Sequence, residues 1–467
     1  MRVRFFDLSV LDRGDRVRPA EFVVGGGRFE AFGEPGALAG GSGFDAEVSL
    51  KGLLVLPGAI DGHVHFDDPG FTWRENFATG TRAAAAGGVT TVVDMPCTTL
   101  PPVTTRAALR NKLGVVAPKA MVDFMFWGGI SGNAFEDPQW ERHAADLVAD
   151  GVAAFKLYML SGMETFRDLA PDQMRAALKV LARLGIPAGV HAEDRELVVA
   201  RTAEARAAGG NTPLDYAASR PAEAEIRAVA ALIGMSCETG ARVHVVHLSS
   251  GVALDRIRAA ADEGVAVSAE TCPQYLAFTR SDLAALGALL KTAPVVKEPE
   301  DRDRLWAGLA DGSLQHVATD HAAGEWPGEK TTGSIWTDYG GVPGVELLVP
   351  FLFSEGVGRR RITLERMTEL VSGAPARFFG VAGRKGRLAA GLDADFAALD
   401  PDEMWTVDAV ALHNLNRYTP FQGWTFTGRV RETWVRGRKV FARTGSETRF
   451  GEPGAGQFVR REAAEAA

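Results

Sequence analysis

The sequence predicts an α/β protein: a TIM (β/α)8 barrel with a small sandwich-like β domain built from both chain ends. Eight short apolar segments, most of them separated by helical-looking sequence, predict the strands of the barrel. Several of these segments end in a histidine, a lysine or an aspartate, as expected where functional groups gather at the carboxyl ends of barrel strands. Strand-like sequence with glycine-rich turns near the termini predicts the smaller domain.

The two chain ends are predicted to combine into one sheet. Residues 1–56 have the pattern of short strands joined by glycine-rich turns, and such a hairpin-rich segment needs a partner sheet to bury apolar surface. We expect the partner in the strand-like segments 391–400 and 429–441. The predicted division of the chain is a composite β domain of residues 1–56 and 380–451, a barrel of residues 57–379 and a C-terminal tail of residues 452–467.

The barrel strands follow one another at the spacing that crossover helices require. The second is rich in β-branched residues, and Gly87 and Gly88 end the alanine-rich helix before it. The connections after the fifth and eighth strands are long, and the second of them, residues 321–344, is a candidate lid or substrate wall. The eight strands are predicted near residues 57–65, 89–94, 121–127, 152–156, 186–191, 242–247, 265–270 and 315–320.

Two histidines mark the end of the first barrel strand. An apolar run, residues 53–56, leads into His63 and His65, which are two positions apart. Residues two apart on a strand point to the same side, so both imidazoles aim at one place beyond the strand. Converging imidazoles suit a divalent metal such as zinc, although this short motif also occurs as a pair of core histidines.

Four further strands end in groups of the same chemistry. The fourth, fifth, sixth and eighth predicted strands run into Lys156, His191, His247 and Asp320. Chance could place one or two such residues at strand ends, but it explains all of them together less easily. The pattern therefore predicts a metal site at the carboxyl ends of the barrel strands.

Composition excludes several classes of function. The chain has 467 residues, of which 46% are apolar and 24% are charged, the balance of a globular protein. Its net charge is -8 and it has no block of basic residues, which argues against nucleic-acid binding. It has no apolar stretch of about 20 residues, which a membrane span needs, and its first residues lack the apolar core of a signal peptide. Its three widely spaced cysteines favour a reducing, cytoplasmic location over a disulfide framework.

With these motifs, the chain resembles the amidohydrolase superfamily in its cyclic amidase branch of dihydroorotases, dihydropyrimidinases (hydantoinases) and allantoinases. The resemblance extends over nearly the whole chain. It implies a small cyclic amide as substrate, no nucleic-acid or membrane partner, and a homo-oligomer, expected to be a homotetramer. It also implies a pair of divalent ions, zinc first and cobalt, manganese or iron as alternatives. The implied metal ligands are His63, His65, Lys156, His191, His247 and Asp320.

The resemblance also assigns roles within the metal site. Lys156, once carboxylated by carbon dioxide, would bridge the two ions, and burial favours the neutral amine that this reaction needs. Asp320 would be both a metal ligand and the catalytic general base, taking a proton from the attacking hydroxide and passing it to the ring nitrogen. A related non-catalytic scaffold protein remains a remote alternative, since such proteins have lost metal ligands that this chain retains.

Three positions favour one branch over its siblings. Asp67 stands where dihydroorotases have an arginine, and Thr98 where they have an asparagine, so a substrate carboxylate lacks its usual partners. Ser161 stands where dihydropyrimidinases have a tyrosine that supports the oxyanion. Together with Ala293 and Gly341, these residues are the expected substrate contacts.

Allantoinases resemble the chain most, in the segments 126–129, 218–221, 425–430 and 456–459. The resemblance implies opening of the allantoin ring to allantoate, with a hydantoinase-like or dihydroorotase-like amidase as the alternative. Gln274 and the pair Ala322-Ala323 depart from the allantoinase pattern near the expected substrate.

Overall fold

The computed structural model describes residues 1–12, 14–41 and 43–462. The last five residues of the predicted tail, 463–467, lie outside this range. The strands are β1 Arg2–Asp12, β2 Arg16–Gly25, β3 Arg28–Gly33, β4 Ala46–Pro57, β5 Ala59–Val64, β6 Val89–Asp94, β7 Asp123–Phe126, β8 Gly128–Gly129, β9 Phe155–Tyr158, β10 Ala188–His191, β11 Val243–Val245, β12 Val267–Thr271, β13 His316–Val317, β14 Phe396–Thr406, β15 Thr425–Val435, β16 Arg438–Thr444 and β17 Glu447–Phe450.

Helices follow most of the barrel strands, as crossover connections require. None in the described part of the chain is long and apolar enough to cross a bilayer. They are α1 Phe77–Ala86, α2 Arg106–Val116, α3 Trp140–Ala149, α4 Pro171–Arg183, α5 Arg195–Ala207, α6 Pro213–Ser219, α7 Ala222–Thr239, α8 Gly251–Asp262, α9 Pro273–Ala277, α10 Arg280–Leu286, α11 Pro299–Asp311, α12 Leu348–Phe351, α13 Leu364–Thr368 and α14 Ala374–Phe378.

The barrel consists of two hydrogen-bonded groups of strands that meet at both edges. One group has the order β5-β6-β7 and the other β13-β12-β11-β10-β9-β8. Only Trp127 separates β7 from β8, so these two segments act as one strand of the barrel. A parallel bridge between Val64 and His321 closes the circle. The predicted barrel of eight strands is therefore confirmed.

The chain ends form a single sheet of eight strands, in the order β17-β16-β15-β14-β4-β1-β2-β3. Its two halves meet where β4 pairs with β14, with Leu56 opposite Ala397. Phe5 and Phe22 stack at 5.0 Å in its core, and Phe396 and Trp434 stack at 5.6 Å beside them. The predicted composite β unit is confirmed, because aromatic residues from both chain ends share this core.

The strand predicted at 429–441 is instead a hairpin. Arg436 and Gly437 adopt φ values of 46° and 67°, and this left-handed pair turns the chain from β15 into β16. Such turns match the twist of a two-strand ribbon, and glycine at the second position favours them. The prediction missed the reversal because basic residues flank the glycine on both sides.

The helix α1 shows how local sequence sets the crossovers. The Asn76 side chain accepts hydrogen bonds from the backbone of Ala78 and Thr79 and so begins the helix. The small face of Ala83, Ala84 and Ala85 is buried, and small side chains allow the helix to lie close to the barrel. Gly88, with φ at 82°, then turns the chain into β6.

Residues 456–459, within the segment assigned by sequence to a tail, run beside a barrel strand. The Phe124 amide donates to the Gln457 carbonyl at 3.0 Å, and the Val459 amide donates to the Phe124 carbonyl at 2.8 Å. Phe458 stacks on Phe126 at 5.3 Å. The end of the described chain thus adds hydrogen bonds and apolar contact to β7.

A buried cation joins the barrel to the eight-stranded sheet. The Lys385 ammonium lies 2.8 Å from the Asp123 carboxylate of β7, contacts Asp395 and lies 3.5 Å from Asp393. All four side chains are at most 5% exposed. Arg436 also pairs with Asp123. Because these carboxylates lie close to one another and away from water, their ionised forms depend on the cations beside them for stability.

We expect Lys385→Met to destabilise the protein by about 3–5 kcal/mol, the usual cost of leaving buried charges unpaired. Unfolding by heat and by denaturant, followed by circular dichroism, measures the change. The control is Lys179→Met, which removes an exposed lysine whose side chain is 56% exposed and 3.9 Å from Glu238. The loss of unfolding free energy in this control should be about 0–1 kcal/mol. Equal losses for the two variants would contradict a joining role for Lys385.

Candidate metal centre

Three of the predicted ligands meet at the closure of the barrel. His63 belongs to β5 and His65 follows its end, so their side chains point the same way. Their Nε2 atoms lie 3.2 Å and 3.1 Å from the same oxygen, Oδ1 of Asp320. Asp320 reaches this point from the loop after β13, with a left-handed φ of 49°. The two nitrogens and one oxygen converge as the ligands of a cation do.

Two further predicted ligands form a second convergence. His191 is the last residue of β10, and His247 lies two residues beyond the end of β11 with φ at 43°. His191 Nδ1 and His247 Nε2 face each other at 3.2 Å. The ring centroids of His63 and His247 are 5.3 Å apart, so the two convergences are neighbours.

Lys156 is buried inside the barrel. It is the second residue of β9, not its end as the sequence predicted, and it pairs in register with Gly129 and Gly189. Its side chain is fully buried, and its Nζ has no hydrogen-bond partner. Nζ lies 4.7 Å from the centre of the Tyr158 ring. Burial lowers the pKa of the Lys156 ammonium, which favours the neutral, nucleophilic amine.

The donor set fits divalent cations. His63 Nε2 and Lys156 Nζ are buried polar atoms without hydrogen-bond partners, a costly state unless something else binds them. Burial also lowers the pKa of His63, His191 and His247, so these imidazoles are neutral at neutral pH. Neutral imidazole is the form that binds metal.

Asp320, the carboxylate of the candidate metal centre, is ionised. Burial alone would raise the pKa of Asp320, but His63 and His65 outweigh burial and hold it below its ordinary value. An anionic oxygen with two imidazoles beside it is a strong ligand for a hard or borderline cation. The same oxygen is a proton acceptor of the kind that general-base catalysis uses.

Buried carboxylates contact the outer nitrogens of two of these histidines. His63 Nδ1 lies 2.6 Å from Glu270 Oε1, and His191 Nε2 lies 2.8 Å from Glu193 Oε2. Glu193 is also paired with Arg220. Sequence analysis gave none of these three partners a role in the metal site. A glutamate among the apolar residues of a barrel strand, as at 270, was the available signal, since an isolated buried charge is costly.

A cavity of about 280 Å³ opens above the convergent histidines. Its lining includes four of the expected substrate contacts, Thr98, Ser161, Ala293 and Gly341. The Ser161 hydroxyl donates to the Phe166 carbonyl at 2.8 Å, so it is already engaged within its own loop. The volume is close to the lower limit for small-molecule sites, about 300 Å³.

Asp67 is placed differently from the other expected contacts. Its side chain is fully buried, its carboxylate has no hydrogen-bond partner, and it is absent from the cavity lining described above. Burial raises the pKa of Asp67 to about 7. The backbone there has a left-handed φ of 54°. Asp67 is therefore partly protonated at neutral pH and is not part of the cavity wall.

The cavity also contains polar residues that sequence analysis missed. Tyr158 stacks on His191 at 5.3 Å, and its hydroxyl lies 3.2 Å from the Cys97 sulfur. Arg220 presents a guanidinium that is paired with Glu193, and the buried hydroxyl of Thr292 has no hydrogen-bond partner. These residues come from separate loops and strands, so their meeting in space leaves no local pattern in the sequence.

Gln274, which departs from the allantoinase pattern, supports the loop that carries Asp320. It is buried, and its side-chain amide donates to the Thr319 carbonyl at 3.2 Å. From the other side, the Asp61 carboxylate accepts a hydrogen bond from the Thr319 amide at 3.0 Å. The residue before Asp320 is thus held by two buried side chains.

Known proteins are similar to this chain in sequence. A profile of the amidohydrolase family matches residues 54–440, which include every ligand candidate described above. The chain belongs to the amidohydrolase family. An allantoinase of Streptomyces avermitilis is 39% identical to this amidohydrolase over 98% of this chain and 99% of its own. An allantoinase of Rubrobacter xylanophilus is 40% identical over 89% of each chain.

A solved structure shares its fold. The L-hydantoinase (dihydropyrimidinase) from Arthrobacter aurescens superposes with a TM-score of 0.91 and is 31% identical. The match covers 98% of this amidohydrolase and 99% of that chain. A likeness over the full length of both chains includes the eight-stranded sheet as well as the barrel.

Proposed function

We propose that this amidohydrolase opens cyclic amides by hydrolysis of a ring carbon–nitrogen bond, and that its substrate is allantoin, converted to allantoate. One observation carries the chemistry: His63, His65 and Asp320 converge beside the facing pair His191 and His247, and the buried amine of Lys156 has no hydrogen-bond partner. The identity to allantoinases over nearly the full chain supports the choice of substrate.

The metal ligands follow from the two convergences. His63, His65 and Asp320 would hold one divalent ion. His191 and His247 would hold a second. Lys156, carboxylated on its neutral amine, would add an oxygen donor to both. Imidazole and carboxylate ligands suit zinc, with cobalt, manganese and iron as alternatives.

The chain supplies the proton transfers of the reaction. Bound divalent ions of this kind contribute acidification of water and polarisation of the amide carbonyl. Asp320, ionised at neutral pH, accepts the proton of the attacking water. Its carboxyl then delivers that proton to the ring nitrogen as the carbon–nitrogen bond breaks. The hydrogen bonds to Thr319 keep Asp320 within reach of both positions.

The cavity suits a neutral ring with a polar arm. Thr98 and the backbones of Ala293 and Gly341 line its wall and are proposed to hydrogen-bond the ring, with Ser161 as a neighbouring loop contact. Asp67 is buried and absent from this lining, so any part that it plays in substrate binding is proposed to be indirect. Arg220 and Thr292 offer donors to a ureido carbonyl. The charge of Arg220 is matched by Glu193, so the cavity has little net positive charge for a substrate carboxylate.

Hydantoin hydrolysis is the second candidate, because the L-hydantoinase from Arthrobacter aurescens has the same fold over its full length. Allantoin is itself a hydantoin bearing a ureido arm, so the two candidates share their ring chemistry. They differ in whether groups such as Arg220 and Thr292 recognise the arm. A substrate comparison therefore separates them.

We also propose the setting of this activity. Hydrolysis of allantoin would place the enzyme in purine catabolism. The cysteines Cys97, Cys237 and Cys272 are free thiols, which supports a cytoplasmic location. A homotetramer is proposed from the resemblance to the family. The division into a β domain of residues 1–56 and 380–451 and a barrel of residues 57–379 stays a proposal.

The substrate is tested with a panel of allantoin, hydantoin, dihydrouracil and dihydroorotate, followed by ring opening. We expect kcat/KM to be highest for allantoin, because the cavity offers donors for the ureido arm and no unmatched cation for a carboxylate. A larger kcat/KM for hydantoin or dihydrouracil would make the protein a hydantoinase. A larger value for dihydroorotate would refute the charge argument.

The bridging role is tested with Lys156→Ala. The variant should lose most of its metal and activity, since a shared oxygen donor is gone. Short carboxylic acids in the buffer should restore part of both by entering the vacated space. Metal content and turnover are the measurements, and Lys179→Ala, at an exposed site, is the control. An unrescued variant with full activity would contradict the assignment.

The proton-transfer role is tested with Asp320→Asn, which keeps the side-chain size but cannot accept the proton. We expect kcat to fall by about 10²–10⁴-fold, the typical contribution of general acid–base catalysis. Metal content should fall less than in His63→Ala, because the amide oxygen can still coordinate. Near-normal turnover in Asp320→Asn would mean that another group is the base.

A further inference from the structure

A single carboxylate at the centre of the barrel contacts three histidines. Glu270 Oε1 lies 2.6 Å from His63 Nδ1. Glu270 Oε2 lies 2.9 Å from His316 Nε2 and 3.3 Å from His244 Nε2. Sequence analysis gave neither His244 nor His316 a metal-binding or catalytic role. The structure brings both into contact with the carboxylate behind a predicted metal ligand.

The cluster is isolated from water. Glu270, His63, His244 and His316 are all 0% exposed. Within the described residues, the ion-pair partners of Glu270 are these histidines and not lysine or arginine. A buried carboxylate is costly unless each oxygen accepts hydrogen bonds. Its position therefore depends on the imidazoles around it.

The contact with Glu270 decides which nitrogen of His63 carries hydrogen. An ionised carboxylate only accepts hydrogen bonds, so the proton lies on His63 Nδ1. In the neutral ring, Nε2 then has a free lone pair. That atom lies 3.2 Å from Asp320 Oδ1. Glu270 thus sets both the tautomer and the direction of the ring.

The two remaining histidines hold Glu270 from the opposite side. The rings of His244 and His316 are stacked, with centroids 4.9 Å apart and planes inclined by 8°. The Ser268 hydroxyl lies 2.8 Å from His244 Nδ1 and can donate to it, so that His244 Nε2 is the donor to Glu270. The chain of contacts therefore runs from Ser268 through His244 and Glu270 to His63.

We propose that Glu270 is a positioning residue for metal binding: it presents His63 Nε2 to the first metal ion, and His244 and His316 hold it in place. The proposal rests on the proposed role of His63 as a metal ligand. Carboxylates behind ligating histidines fix the ring and raise its basicity. The negative charge of Glu270, separated from the ion by the His63 ring, also favours binding of the ion.

The test is Glu270→Gln in the full-length protein. Glutamine keeps the size but loses the charge, and its amide can donate to His63 Nδ1 and so shift the proton to Nε2. We expect the tighter zinc-binding step to weaken by about 10–100-fold, as for similar partners of metal ligands. Chelator competition measures the affinity. The visible absorption of the cobalt-loaded protein reports the geometry around the ion, which a merely structural role leaves unchanged.

The matched control is Glu346→Gln. Glu346 is another buried glutamate that contacts a histidine, with Oε1 2.9 Å from His413 Nδ1. This pair is not among the proposed ligands, so the substitution removes a similar buried charge without touching His63. We expect its zinc affinity and cobalt spectrum to match those of the wild type. Equal weakening in both variants would overturn the proposal.

A milder variant, Ser268→Ala, keeps the proposal testable if Glu270→Gln does not fold. It removes only the hydroxyl at His244 Nδ1, and zinc affinity should weaken by a smaller factor than in Glu270→Gln. Unchanged affinity in whichever of these variants folds overturns the positioning role. A third ion bound per chain would mean that Glu270 and its histidines bind a metal ion themselves, which would also overturn the positioning role. Wild-type protein that binds no divalent ion would refute the proposed function itself.

Discussion

The candidate site depends on the hydrogen bonds that close the barrel between its first and last strands. The His65 amide donates to the His321 carbonyl at 2.8 Å, and Asp61 of β5 accepts from the Thr319 amide at 3.0 Å. These bonds are strong because they lie in a water-free interior. They hold the two histidines of one chain segment against Asp320, which is more than 250 positions away in sequence.

Sequence predicted those features that depend on periodicity and residue type. The spacing of His63 and His65 shows that they share a side of a strand, and the apolar run before His191 shows where that strand ends. Left-handed backbone conformations were harder to predict from the sequence. His247 and Asp320 adopt left-handed φ values of 43° and 49°, which non-glycine residues rarely do and which no neighbouring residue signals. Such conformations persist where the surrounding structure imposes them, often at functional sites.

Contacts between distant segments were the least predictable part. Glu270, Arg220 and Thr292 come from different elements, and their roles follow from what faces them across the barrel. A pattern within one segment reports which side is buried but not the partner on that side. The hairpin at Arg436 and Gly437 was partly predictable, because its glycine is a turn signal that the flanking basic residues obscured.

The junction of β4 and β14 also constrains the order of folding during synthesis. β1 to β4 leave the ribosome first, and β4 then exposes the apolar edge formed by Leu54, Val55 and Leu56 until β14 is made. The entire barrel is synthesised in between. An unpaired apolar edge readily accepts a strand from another chain. The nascent protein therefore spends most of its translation time with a surface on which neighbouring chains can aggregate.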